Sequence, residues 1–419
     1  MKIELKTLTP LWTGGVDGRC DRVHETGIIG SLRWWYEALV RGLGGEACDP
    51  TDHQCGFDER KFKRPESDEP TAWQQALLQA NICDACQAYG ATGWARRYRL
   101  RVRGGKRTGF SGTLRVTPSR RNRGWFLGPG IGGMIIGTVL PKPQFNPATL
   151  IVPLALSSQC GGLGARTQHG YGVAQAKVLE DKEPIRVDQI MLQSLPGGDK
   201  TDDQGMPSLR NMFFASVTLE TVDTRWWQDV DGLHNLSTRD EGKLTAWLET
   251  GSVPVSPAVR NQIRFERGLG LQDAGQENFV FGSTDRVCKM CYQRVQGRDE
   301  TYNCPMCGRI HKSATLERTK TKIHVSAAYP LDESQWQVRV WGWIPHTLPT
   351  SVTLDREVVL QNLHDLFRDK QMWHAALGNR AAFIGLEWRE FASARDGKIV
   401  KAADAMVFLR SLLIEEDEK

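Results

Sequence analysis

Acidic residues are missing from one long stretch of this chain: between Asp84 and Glu180 there is no Asp or Glu. The same 95 positions hold fourteen Lys or Arg, among them Arg97, Arg99, Arg101, Arg103, Arg120, Arg121 and Arg166. The whole chain has 54 basic and 49 acidic residues, net +5, so everything outside that stretch stands at −9. Clustered cations gain affinity by releasing condensed counterions from phosphates, and the segregation predicts a polyanion partner. The plainer alternative is a basic surface balanced by an acidic neighbouring domain or subunit. Other absences remove whole activities. There is no Walker A, GxSxG or HExxH pattern, so NTP hydrolysis and serine or zinc peptidase chemistry have no support. The longest uncharged stretch, residues 143–165, is interrupted by Asn146, Pro147, Pro153 and Gln159, and no segment supplies the roughly 20 apolar residues of a membrane span. Glu4 and Lys6 stand where a signal peptide would be apolar. The expected location is the cytoplasm, with no membrane partner.

What is present suits a globular protein: 419 residues, 40% hydrophobic and 25% charged, enough for two to three domains. Ten cysteines in a cytoplasmic chain argue for metal rather than disulfides. Cys288 and Cys291, then Cys304 and Cys307, form two CxxC knuckles separated by twelve residues. Four thiolates at that spacing suit one tetrahedral, closed and therefore structural Zn²⁺ site, a zinc ribbon at about residues 285–312. Cys48, Cys55, Cys83 and Cys86, with His53 nearby, offer a possible second site; the alternative is buried free cysteine.

Periodicity divides the chain into residues 1–196 and 208–419 around a polar joint at Gly197 to Pro207. The first half reads as a strand at Lys2 to Leu8, a glycine turn, and a helix from Ser31 with Leu32, Trp35 and Leu39 on its apolar face. A second helix follows at Thr71 to Cys83. Arg97 to Arg103 alternates as a strand with one basic face, then come a strand at Thr113 to Thr117, a helix at Pro147 to Gln159 and a strand at Tyr171 to Leu179. The order is βαββαβ, an α+β, ferredoxin-like layout that RNA-recognition motifs share. The second half repeats it: strand Met212 to Thr221, helix Pro257 to Phe265, strands Lys322 to Ala328 and Gln335 to Trp343, helix Arg356 to Leu377, strand Ala382 to Phe391. A terminal helix, Ala402 to Leu413, precedes an acidic tail at Glu415 to Glu418.

Residues Cys160 to Gly172 contain five glycines, Gly161, Gly162, Gly164, Gly170 and Gly172, together with Arg166, His169 and Tyr171. Such a loop permits positive φ and lets phosphates approach backbone N–H groups, with Arg166 and His169 in reach. An ordinary tight connection is the alternative. Among the aromatics, packing is expected for the pairs Trp34–Trp35 and Trp226–Trp227, and base contact for Tyr171.

Thr9 to Gly15, Gly27 to Tyr36, Cys83 to Trp94 and the glycine loop together resemble the RAMP superfamily of CRISPR effector proteins, and within it the family of subunit one of the type III-B Cmr complex. The resemblance covers Met1 to about Leu179, and in the second half mainly Arg264-Phe265 to Phe281-Gly282. It implies two ferredoxin-like RAMP domains with an inserted zinc ribbon. It also implies a non-catalytic subunit that contacts the 3′ part of a guide RNA, and the target RNA, alongside other CRISPR effector subunits in antiviral defence. By analogy Gly14, Gly15 and Arg33 join the glycine loop and the Arg97–Arg101 strand as RNA-binding candidates. Backbone RAMP subunits cut RNA with an Asp in the loop before the first helix; here Asp17 and Asp21 do not match that spacing. The runner-up is a RAMP-family endoribonuclease cutting target or precursor guide RNA, with His24, His169, Asp17 and Asp21 as candidate groups.

Overall fold

Alternation sets the first strand. In β1 (Lys2–Thr7) Ile3 and Leu5 are buried while Lys2 and Lys6 face solvent, the period of a sheet with one covered face. The computed structural model describes residues 1–50, 55–119, 123–201, 205–288, 290–295, 301–304, 308–312, 316–317, 319–349, 352–399 and 404–414. His53, Arg120, Arg121, Cys307 and the acidic tail therefore lie outside the described residues.

α1 (Glu25–Gly42) buries Leu32, Trp35, Tyr36 and Leu39. It begins earlier than Ser31, because the Thr13 hydroxyl accepts the His24 N–H at 2.9 Å and Glu25 puts an acid in the first turn. Where one helix is expected near Thr71 to Cys83 there are two, α2 (Pro70–Gln79) and α3 (Asp84–Tyr89). β2 (Tyr98–Arg107), the ribbon of β3 (Leu114–Val116) and β4 (Trp125–Leu127), β5 (Ile131–Pro141), α4 (Ala148–Cys160), β6 (Ala174–Glu180), β7 (Glu183–Ile185) and α5 (Gln189–Gln193) follow. The sheet runs β2-β5-β1-β6-β7, antiparallel, with Leu5 opposite Ile135 on one side and Ala176 on the other. The expected strand at Thr113 to Thr117 exists as β3 but pairs with β4; the place beside β1 belongs to β5.

The second half opens with β8 (Met212–Thr221), α6 (Thr238–Leu248), α7 (Ser256–Asn261) and α8 (Ala274–Phe281). A cysteine-bearing segment carries β9 (Val287–Cys288), β10 (Thr301–Asn303), β11 (Ile310–Lys312) and β12 (Leu316–Glu317), paired β9 with β12 and β10 with β11. Then come β13 (Ile323–Val325), β14 (Tyr329–Pro330), β15 (Gln335–Trp343), α9 (Arg356–Arg368), α10 (Lys370–Leu377), β16 (Ala381–Glu390) and α11 (Ala405–Leu413). The expected single helix Arg356 to Leu377 is divided at Asp369, whose carboxylate caps α10 by accepting the Gln371 N–H. The sheet runs β13-β15-β8-β16, antiparallel. In both halves the opening strand thus sits between the third and fourth strands of its set.

Each sheet covers its own apolar cluster, yet elements cross between them. α11 sends Phe408, Leu409 and Leu412 into the first cluster, and the β3–β4 ribbon sends Leu114, Val116 and Leu127 into the second. Core membership therefore does not follow the linear division at residues 196 and 208. α4 is apolar almost all round, as a helix packed on several sides must be, and it touches α1, β6, β8 and α11. Trp35 stacks on Phe214 of the other half with ring centroids 6.3 Å apart.

Candidate nucleic-acid interface

The glycine loop leaves α4 against Trp35. A Cβ on Gly161 would stand 2.3 Å from the Trp35 indole, and the Gly162 carbonyl accepts the Trp35 Nε1–H at 3.0 Å. Gly161 and Gly162 are buried and serve close packing, which corrects their assignment to phosphate contact. Tyr171 is corrected as well: it is 0% exposed, its hydroxyl donates to the Gly128 carbonyl at 2.5 Å and its ring meets Trp247, so no base can reach it. Between these anchors the backbone turns through positive φ at Gly164 (80°), Arg166 (58°) and Gly170 (97°). Gly170 is buried too, its carbonyl accepting the Ala327 N–H at 3.0 Å. Gly164 to His169 is less covered, with Ala165 exposed and the other five residues half-buried.

That segment forms one wall of a cleft of about 1110 Å³ between the two halves. The other walls are Arg123 to Phe126 of the ribbon, Arg260, Arg264 and Phe265, the stretch Phe281 to Thr284, Arg294, and Thr319 to Thr321 with His324. Among the described residues the lining has six cations, Arg123, Arg166, Arg260, Arg264, Arg294 and Lys320, and no Asp or Glu. Glu277 and Asp285 reach Arg264 (3.8 Å) and Arg294 (3.4 Å) from outside the lining. α7 continues as a π-helical turn, Gln262–Glu266, which presents Arg264 and Phe265.

Two histidines sit among these cations. His324 shares a hydrogen bond of 2.8 Å with the Thr167 hydroxyl, and His169 packs edge-on against Trp125, its Nδ1 buried without a hydrogen-bond partner among the described residues. Burial, then Arg260 and Arg166, push His169 down to about 4; burial and Arg260 push His324 down to about 3. Burial and Arg264 lower Arg260 to about 9. Both histidines are neutral in the fold at pH values where the unfolded chain, near 6.5, is already protonated. The unfolded state then binds more protons, so stability falls as pH falls. The thermal midpoint is expected to drop between about pH 6.5 and 4, and His169→Gln with His324→Gln to flatten that decline in a pH series of melts.

The remaining expected contacts divide. Arg99 and Arg101 lie exposed on the open face of β2, Arg101 in register with Thr138 and that in turn with Lys2. Arg97 instead lies over the Trp94 ring at 3.8 Å. Gly15 packs on His24 and Gly14 on Trp12, whose indole carries Arg166 at 4.4 Å, and neither glycine lines the cleft. Arg33 is half-buried and its guanidinium is engaged within the fold: it donates to Glu37 (2.7 Å), the Gly90 carbonyl (3.1 Å) and the Cys86 sulfur (3.2 Å). The C-terminal lining, Arg260, Arg264, Phe265, Lys320 and His324, was missed by sequence reasoning. The i, i+4 spacing of Arg260 and Arg264 on one helix face is the signal that could have found part of it.

Both cysteine groups assemble. The sulfurs of Cys48, Cys55, Cys83 and Cys86 all lie within 4.8 Å of one another, Cys48 and Cys86 at 3.6 Å. Cys288, Cys291 and Cys304 do the same, Cys291 and Cys304 at 3.4 Å, while Cys307 is outside the described residues. A disulfide would need about 2.05 Å. A tetrahedron with Zn–S near 2.3 Å has sulfur–sulfur edges of about 3.8 Å, so the donor sets fit zinc. Backbone N–H groups of Cys48 and Cys83 point at sulfurs of the first group, at 3.4 and 3.5 Å, and that of Met290 at Cys288, at 3.4 Å.

Two antiparallel sheets, a cation-lined cleft and two thiol clusters make up this α+β protein. The model of the RAMP superfamily matches residues 4–175 of this chain. Among solved structures, the crystal structure of Cmr1 from Pyrococcus furiosus, in its apo form, is similar at 14% identity and a TM-score of 0.31, covering 87% of this chain and 94% of that one. A likeness that loose carries no argument. Over 124 residues, 29% of this chain and 97% of the relative, the chain is 25% identical to Protein Wnt-3 of Eptatretus stoutii, a share too small to bear on function. No helix among the described residues is long and apolar enough to cross a membrane.

Proposed function

We propose that this chain is a non-catalytic, RNA-binding, zinc-containing subunit of a type III CRISPR effector ribonucleoprotein of the Cmr kind, built from two ferredoxin-like units divided near residues 197–207. Guide and target RNA are its ligands and other effector subunits its neighbours. The observation that carries the reading is the acid-free cleft, with six cations placed by both halves around Gly164 to His169. The RAMP match of residues 4–175 and the exposed Arg99 and Arg101 support it. The four-sulfur group holds one Zn²⁺, and Cys288, Cys291, Cys304 and Cys307 hold a second; as a filled-shell ion with all positions closed, zinc supplies cross-linking there and no chemistry.

The test is binding of single-stranded RNA across a salt series. Log K is expected to fall with log salt by roughly 0.7 per phosphate neutralised. Replacing Arg123, Arg166 and Lys320 with Ala should reduce that slope by about 2. Should Arg99→Ala with Arg101→Ala reduce the slope while the cleft variant does not, the open sheet face is the RNA surface instead.

One observation favours the endoribonuclease reading: His24 Nε2 and an Asp21 carboxylate oxygen lie 2.7 Å apart. Sequence spacing did not reveal this pair, which is the orientation a general base requires. Asp21 is exposed, and the His24 hydrogen bond holds its carboxyl below the usual range, as an ordinary surface pair also does.

A further inference from the structure

Phe126 is 55% exposed and Phe265 43% exposed, and both line the cleft. Burying a phenyl ring stabilises a fold, so two such rings left half-open at the wall of a charged cavity gain little for it. The position of Phe126 follows from alternation: Leu114, Val116 and Leu127 of the ribbon are buried, which forces Phe126 outward, opposite the exposed Arg115. Phe265 sits in the π-helical turn with the Arg264 guanidinium 5.0 Å from its ring centre. Each ring therefore stands beside an arginine. A planar apolar surface next to a cation matches a nucleotide, which offers a base face and a phosphate at a short fixed separation.

We propose that the cleft takes a single-stranded nucleic acid whose unpaired bases stack on Phe126 and Phe265, and that these rings, not the cations, make it prefer single strands. The inference rests on the reading of the cleft as the RNA interface and names what that interface selects. A duplex would satisfy the cations equally well, but its base faces are hidden in its own stack. An acidic protein segment would match the charge and leave both rings without a planar partner.

The test uses the full chain with three labelled probes of equal length: single-stranded RNA, the corresponding duplex, and an abasic ribose-phosphate strand. Single-stranded RNA should bind more tightly than the abasic strand. Phe126→Ala and Phe265→Ala should each weaken single-strand binding roughly 5- to 150-fold while leaving the salt slope and abasic-strand affinity as they are. Phe126→Trp should restore binding lost in Phe126→Ala, which separates stacking from a folding defect. Equal affinity for single-stranded and abasic probes, or Ala variants that bind as the parent does, overturns the inference while leaving the RNA interface standing. Preference for poly-glutamate over every RNA probe, or no RNA binding by the parent, overturns the interface reading and the inference with it.

Discussion

Elemental analysis of the purified chain is expected to give two zinc equivalents, and Cys86→Ser to remove one of them while unfolding the region that joins α1 to α3. The four sulfurs reach that point from three separate places: Cys48 beyond α1, Cys55 in the following loop, and Cys83 and Cys86 at the start of α3. A cation there joins the connection after α1 to the start of α3, beside the Glu46 N–H that donates to Asp84 at 2.8 Å. Four thiolates around Zn²⁺ carry a net charge near −2, and the guanidinium of Arg33 already donates to the Cys86 sulfur, with Arg41 donating to the Cys48 carbonyl at 2.9 Å. Structural zinc supplies apparent folding free energy on the order of 10 kcal/mol, so losing it exceeds any single packing change in this protein. Cys288→Ser should remove the other equivalent independently, and Cys160→Ser, outside both groups, should remove neither. Two equivalents retained in Cys86→Ser would show that Cys86 does not hold zinc.

Much of this architecture was legible because burial leaves a period. The sequence predicts strands at Met212 to Thr221 and Gln335 to Trp343, and both form. β5 was not legible: Gly132, Gly133 and Gly137 interrupt its apolar residues, and glycine reads as a loop. Its place beside β1 comes from pairing across the sheet, which no local window contains. The site shows the same limit. Gly161, Gly162 and Tyr171 carry the residue types of a phosphate loop, yet Trp35 and Trp247 claim them for packing, and only the tertiary fold reveals those partners. Arg33 has the composition of an RNA contact but faces sulfur. Conversely, Arg260 and Lys320 lie outside the acid-free stretch, and charge bookkeeping along the chain cannot bring them to Arg166.

Incubated with RNA, with Mg²⁺ or without, the isolated chain is expected to release no product. Asp21 and His24 are paired, but a general base also needs a substrate held at its free nitrogen and an electrophilic group to stabilise the departing charge. The His24 ring lies behind Gly15, where a Cβ would meet it at 2.9 Å, and it is absent from the lining of the cation-rich cleft. Within an assembled complex, Asp21→Ala and His24→Ala should leave target cleavage by other subunits intact. Arg166→Ala with Arg264→Ala should instead weaken RNA retention roughly tenfold or more, as expected when charge-assisted contacts worth about 1.5–3 kcal/mol each are lost. The contrast follows from role: loss of a catalytic group lowers the chemical rate with binding preserved, whereas loss of a phosphate contact weakens binding first. Cleavage by the isolated chain that disappears in His24→Ala, with RNA affinity unchanged, would make the Asp21–His24 pair a general base and this subunit a nuclease.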